Sequence, residues 1–380
     1  MKHSQPLFLI KNTHAVKLSN LSFSISPLFI PLLSLTGGIT GAFYYCKESL
    51  GIPFFLTASL LIALNIYLLF KKQYIIFGVC IASLLIGSIH TLNIWSHYHD
   101  FTISTLNNNH NLFLKIENKH ISGSTRMKHV LIATLLNKEV KGYKIQIYTT
   151  QSNNVQIGDC IAVPYIPLKR PSKNNFDLYL MREGIAATVF IETLSYKLIN
   201  RPKYSLWRFI FNYKNKILQS FEKQLSPYAF TLFCSFFMGE KMNNKKMSEH
   251  LHVYCKRWGI SHFLARSGLH LVIVLSIYEL LFRFIPLPFI LKIILLILLN
   301  IIYFLLSCVS VSFLRAFITF IIYKITSFLS IPAHFLHILT TTCMIILLWN
   351  PLHLFFLDFQ LSFCLTFALG WLNQYKTANS

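Results

Sequence analysis

The chain has 380 residues, 54% of them hydrophobic and only 13% charged, with a formal net charge of +22. The charged share is about half that of an ordinary soluble domain, which excludes a wholly soluble globule and fits a multi-spanning membrane protein with one modest polar portion. So large a positive excess implies attraction to anionic lipid or nucleic acid, and positive loops on the inner side of a membrane supply part of it.

Three apolar segments come first, near Leu28–Cys46, Ile52–Phe70 and Tyr74–Trp95. Each approaches the ~20 residues that a helix needs to cross hydrocarbon. Lys2, Lys11 and Lys17 precede the first, and Lys71 and Lys72 separate the second from the third. Only Lys47, offset by Glu48, lies on the other side, so the N-terminus is expected in the cytoplasm and the residues after Trp95 outside. The polar start carries no small-residue cleavage site, and the first run reads as a retained anchor.

Residues 97–203 have another texture. Asparagine clusters punctuate short β-type runs at Asn111–Asn118, Val130–Leu136, Lys144–Thr150, Ile161–Ile166 and Ala187–Leu194, with a short helix at Asp177–Glu183. Strands at this spacing predict a small β-barrel of the OB type, inserted outside the membrane. Lysines and arginines outnumber carboxylates there, and Phe113, Tyr143, Tyr148, Tyr165 and Phe176 are available for stacking. Basic grooves with aromatic rings hold single strands in OB-folds; a basic domain resting near anionic lipid fits the same residues.

From Leu206 to Gln224, Trp207, Ile210, Phe211, Ile217, Leu218 and Phe221 recur at helical spacing with Arg208, Lys214, Lys216 and Lys223 between them. That pattern predicts a helix lying in the membrane interface. Tyr228–Met238 is too short to span and reads as re-entrant, and Lys241–Arg257 is basic and polar. Further spans are expected near Ile260–Phe284, Leu287–Val309, Phe313–Leu329, His334–Trp349 and Leu352–Leu372, with Pro286, Pro288, Pro332 and Pro351 at their edges. The expected fold is a polytopic α-helical membrane protein of about eight spans with an inserted small OB-like β-barrel as an external domain. Its divisions are 1–96 for the first helices, 97–203 for the external domain, 204–258 for an interfacial region and 259–380 for the second membrane domain.

Candidate functional residues concentrate in the last division. His262, Arg266 and His270 are spaced i, i+4, i+8 and share a helix face, with Ser267 and Gly268 beside it. An Arg at a span's centre costs roughly 2.5–3.5 kcal/mol on insertion scales, so such a group faces water, a ligand or a polar partner. Arginine forks onto phosphate with two hydrogen bonds, and glycine lets a second backbone or a ligand come close. A helix start whose His262 and Arg266 reach headgroups accounts for the same residues. Lys292 and Lys324 read as snorkelling. Arg315 and Asp358 carry opposite charges that can pair within a bundle, and Gln360 and Ser362 are polar groups suited to bonding between helices or to lining a path. His97-Tyr98-His99-Asp100 reads as an interfacial cluster, and His250, His252 and Cys255 lack the second pair a zinc site needs. The eight cysteines contain no CxxC pair, so no disulfide framework is expected. There is no P-loop, dinucleotide fingerprint, nucleophile elbow or zincin motif. With 13 Asp plus Glu in all, two-metal nuclease chemistry is not expected. The chain reads as a non-enzyme without cofactor or metal, and an intramembrane enzyme would have to place His270 and Asp358 at one depth.

Gly259-Ile-Ser-His-Phe-Leu-Ala-Arg-Ser-Gly-Leu-His-Leu271 resembles the SHLLAISGLHV signature of the ComEC competence-protein family. Other segments are similar in the same order: Ile157-Gly-Asp followed by Phe176-Asp-Leu-Tyr-Leu-Met-Arg-Glu-Gly-Ile185, then Phe237-Met-Gly-Glu240, Val311-Ser-Phe-Leu-Arg-Ala316 and Phe359-Gln-Leu-Ser-Phe363. The resemblance implies a multi-pass protein of the inner (plasma) membrane that passes single-stranded DNA into the cytoplasm during natural transformation. It also implies an external domain that receives DNA. His262, Arg266, Ser267, Gly268, His270, Arg315, Gln360 and Ser362 are then the expected DNA path. Expected partners are single-stranded DNA, the lipid bilayer, a cytoplasmic helicase or ATPase, a periplasmic DNA-receiving protein and a second copy of this chain. Two positions depart from the family pattern: Arg266 stands for an isoleucine and Asp358 for a glycine. Many family members continue beyond the equivalent of residue 380 with further spans and a metallo-β-lactamase-like domain, and without it no nuclease activity is expected. The competing reading is a reduced or repurposed accessory membrane protein whose basic external domain faces lipid.

Overall fold

A computed structural model describes residues 27–47, 74–101, 111–121, 129–137, 140–150, 154–164, 168, 175–192, 194–239, 253–259, 268–307 and 310–379. The chain divides into two compact units, one of residues 1–93, 271–300 and 311–380 and the other of residues 94–270 and 301–310.

The second unit is built on six strands: β1 (Leu112–Ile121), β2 (His129–Leu135), β3 (Lys144–Thr149), β4 (Cys160–Val163), β5 (Ile185–Ile191) and β6 (Lys197–Asn200). Their order across the sheet is β5-β3-β2-β1-β4-β6. β3 and β5 run parallel and the other pairs antiparallel. Strand alternation sends Leu112, Leu114 and Ile116, Leu131 and Leu135, Ile145 and Ile147, Ile161 and Val163, and Ala187 and Val189 into one buried core. A parallel pair needs a crossover, and a helix (Asn175–Arg182) precedes β5 in that connection.

Two expectations change. β6 has four exposed residues and no alternation, so only its pairing with β4 reveals it. The expected closed barrel is not what the described strands form. β6 occupies the side of β4 away from β1, leaving β5 and β6 as the edges of an open sheet.

A buried carboxylate ties this sheet to the next helix. Asp159 is fully buried and accepts from the Gln156 amide at 2.9 Å, from Arg201 at 2.7–3.2 Å and from Arg208 Nη2 at 2.7 Å. The preceding Gly158 has φ +89°, and a Cβ there would stand 3.2 Å from Ser205 Oγ. Ser205 caps the helix Leu206–Gln224, accepting from the Arg208 amide, and that helix has the bounds its periodicity predicts. A shorter helix, Pro227–Phe233, continues into a π-helical turn at Cys234–Met238.

The first unit is helical. In chain order through the whole protein, α1 is Phe29–Cys46, α2 Tyr74–His99, α3 Asn175–Arg182, α4 Leu206–Gln224, α5 Pro227–Phe233, α6 Gly268–Arg283, α7 Phe289–Leu306, α8 Val311–Phe328, α9 Phe335–Trp349 and α10 Leu357–Asn379. Among the described residues, α1, α2, α7 and α8 are long and apolar enough to cross a membrane. The expected span at 52–70 lies outside the described residues. α9 has only 15 residues. The expected span Leu352–Leu372 begins late because the Asn350 side chain caps a 3-10 turn, Pro351–Phe355, ahead of α10.

α1 and α2 cross at glycines. A Cβ on Gly38 would lie 2.2 Å from the Leu84 carbonyl oxygen, and one on Gly87 would lie 2.7 Å from that of Leu35. Ser88 Oγ donates across the crossing to the Gly38 carbonyl at 3.2 Å. Leu35 and Ile39 of α1, Val311 of α8, Leu339 and Ile346 of α9, and Phe359 and Phe363 of α10 share the core of this unit.

Candidate functional site

Arg315 enters the helical unit one turn into α8. Its Nη1 donates to the Ser362 carbonyl and to Thr366 Oγ1 on α10. Its guanidinium sits 5.9 Å from the centre of the Phe363 ring. Thr366 also donates to the Ser362 carbonyl at 2.7 Å. Both hydrogen-bond partners of the guanidinium are neutral, so a fixed positive charge stands on the α8–α10 seam. The suggested Arg315–Asp358 pair does not form: Arg315 turns to Ser362 and Thr366, one and two helical turns beyond Asp358, which is exposed.

The structure joins Arg315 and Ser362 but separates Gln360 from them. Gln360 is exposed, and its Nε2 donates to the Leu354 carbonyl at 2.8 Å, pinning the 3-10 turn to α10. Two residues apart on a helix, Gln360 and Ser362 face opposite sides. The Ser362 hydroxyl is buried without a hydrogen-bond partner. Lys324, expected to snorkel, instead pairs with Glu279 at 2.6 Å and lies over the rings of Phe320 and Tyr323.

A second grouping lies in the sheet-bearing unit. His270, on the first turn of α6, is buried with its ring 5.2 Å from that of Phe236. Phe236 belongs to the π-helical turn, and Tyr303 Oη donates to the carbonyl of the next residue, Phe237, at 2.9 Å. π-helical turns inside helices often sit at functional sites. Gly268 opens α6 and is buried. His262, Arg266 and Ser267 lie outside the described residues, so the polar face expected across 262–270 is seen only at its Gly268–His270 end.

Several roles differ from the sequence reading. Tyr143 is not free to stack on a ligand, because His97 lies parallel to it at 4.5 Å and Phe101 packs on it at a tilt, 4.9 Å away. His97 and Tyr98 belong to the sheet-bearing unit and serve its packing, since Tyr98 Oη also donates to Asp177 on α3. Tyr165 lies outside the described residues. Asn300 was not anticipated: it is fully buried in α7 and neither amide atom has a hydrogen-bond partner. Its spacing from Ile293, Leu296 and Tyr303 on one buried stripe was the available signal. On the sheet, Glu117 bonds Lys144 at 2.7 Å and Thr134 at 2.5 Å. Partial burial pushes its carboxyl up, but these bonds and the positive charges of Lys144 and Lys115 outweigh it and hold the carboxyl below its ordinary value. Burial lowers the Lys119 ammonium.

The segments around Arg315 and Ser362, and those around Phe237 and His270, are therefore brought together pairwise. Residues 239–379 match the family model described as Competence protein. Over these residues the chain carries a competence-protein domain. No curated protein and no solved structure matches the chain. The competence domain thus contains Arg315, Gln360 and Ser362 at described positions, together with Gly268 and His270, and its described elements are all helices. With its apolar helices, the protein is a membrane protein with a role in competence.

Proposed function

We propose that the protein is an inner-membrane channel component that takes up single-stranded DNA during natural transformation. The observation that carries this reading is the fixed positive charge of Arg315 on the α8–α10 seam of a competence domain, bonded only to neutral groups. A guanidinium so placed retains its charge for phosphate. The residues assigned to DNA passage are Arg315 and Ser362 and, from the resemblance, His262, Arg266, Ser267, Gly268 and His270, while Gln360 serves the fold. The open sheet of residues 97–203 works outside the membrane as an OB-like DNA-receiving domain; its order, with β1 paired to both β2 and β4 and β3 parallel to β5, supports this reading. The sequence contains no P-loop to bind ATP, so a cytoplasmic helicase or ATPase is a proposed partner, with a periplasmic DNA-receiving protein and further copies of the chain.

A second reading has support from the same arginine. Arg315 cross-links α8 to α10, as it would in an accessory membrane protein without transport of its own. Deleting the gene and measuring transformation by added chromosomal DNA, with electroporation of the same marker as control, separates the two. Loss of transformation with electroporation intact, and rescue by the wild-type gene, supports the channel component. Unchanged transformation in a competent host refutes it.

A further inference from the structure

We propose that the β5 edge of the sheet is a base-stacking platform for single-stranded DNA, built from Tyr148, Phe190, Phe176 and Tyr179. The choice of ligand rests on the DNA-uptake reading; the platform rests on the following geometry. Tyr148 and Phe190 are direct partners across the parallel β3–β5 pair. Their rings lie 4.7 Å apart and within 7° of parallel. Phe190 stands on an edge strand and is 57% exposed, so one face of this stack opens to solvent. On α3, Phe176 and Tyr179 form a second near-parallel pair at 6.1 Å and 17°, and both are exposed. The pairs stand on neighbouring elements, since α3 packs against β5; burial raises the Tyr148 phenol, and the nearby Tyr179 raises it further.

Charge near the rings points to a polyanion that carries planar groups. The Arg182 guanidinium lies 5.2 Å from the Tyr179 ring centre while paired with Glu183. The carboxylate within α3, Asp177, is bonded by Tyr98. Between residues 97 and 203 the sequence has fourteen Lys and Arg against seven Asp and Glu, a balance that attracts a polyanion. Rings exposed at an edge and already stacked accept a further base without choosing among sequences.

The test uses the full chain in detergent micelles and a fluorescein-labelled oligothymidylate, with fluorescence anisotropy at several salt concentrations. Phe190→Ala should weaken binding roughly 5- to 150-fold with the salt slope unchanged, because no phosphate contact is lost. Phe190→Trp should restore it. Since Phe190 is mostly exposed, circular dichroism of both variants should match the wild type. Phe190→Ala binding within twofold of the wild type overturns the platform while leaving the uptake reading in place. If the wild type ignores the oligonucleotide and instead co-sediments, through Phe190, with vesicles of phosphatidylglycerol and phosphatidylethanolamine, the rings belong to a membrane contact and the platform is refuted. The deletion experiment above then decides separately whether the uptake reading falls with it.

Discussion

Replacing Asp159 by Asn should release α4 from the sheet. The carboxylate is fully buried and receives the Gln156 amide and two guanidinium groups, of which Arg208 belongs to the first turn of α4. Arg208 is further held by the Ile157 carbonyl at 2.9 Å and the Pro202 carbonyl at 3.0 Å. The amide side chain of Asn keeps one acceptor but removes the charge, leaving Arg201 and Arg208 to face each other. Breaking a buried charge pair from one side costs about 3–5 kcal/mol. The retained acceptor favours the lower end, about 3 kcal/mol, which is roughly a 150-fold change in an opening equilibrium. Hydrogen exchange followed by mass spectrometry on the full chain in micelles reads this locally. Amides of 154–163 and of the first turns of α4 should exchange about two orders of magnitude faster in Asp159→Asn. Peptides of β2 and β3 should change little. Unaltered protection across 154–163 and 205–212 would refute the idea that this carboxylate holds helix to sheet.

Arg315→Met keeps the length of the side chain and removes its charge. A hydrogen bond to a charged group contributes about 1.5–3 kcal/mol, and the Ser362 carbonyl keeps its bond from Thr366. A modest fall in thermal stability in micelles, with transformation lost, supports a path role; equal losses rescued by Arg315→Lys favour a cross-link. Asn300→Leu should raise resistance to thermal unfolding, because an unsatisfied buried amide costs about 1–3 kcal/mol; a fall would show that the amide has a partner in the functional state. Gly38→Leu should prevent α1 from crossing α2, since its Cβ alone would lie 2.2 Å from the Leu84 carbonyl oxygen; a disulfide crosslink engineered between α1 and α2 should then fail to form. The carboxyl of Glu117 is held below its ordinary value, so its contribution is present above the unfolded-state value and is lost as pH falls through the folded one. Acid should therefore loosen β1–β3 in the wild type, and Glu117→Gln should flatten that pH dependence in exchange measurements.

Local patterns in the sequence determined a good deal. A run of apolar residues needs no partner to declare itself, so α1 was legible almost to the residue and α2 at its start, though α2 runs four residues past the expected Trp95. α4 was equally legible, because its apolar spacing and the Ser205 cap are written within one stretch. The competence segments were legible as motifs. Tertiary structure alone decided the rest, because those features depend on residues far apart in the chain. β6 exists only against β4, and its place there leaves the sheet open. Tyr143 looked available until His97 of α2 was laid on its ring. Arg315 had a carboxylate of opposite sign within reach on paper, yet helix register aims it one and two turns along α10, at Ser362 and Thr366. Phe190 lay inside an expected strand, but only the pairing of β5 with β3 turns its ring into a stack with Tyr148. Composition and periodicity act within a few residues and set which segments fold and into what; the partners of a buried charge or an exposed ring are chosen only when the folded chain brings distant residues together.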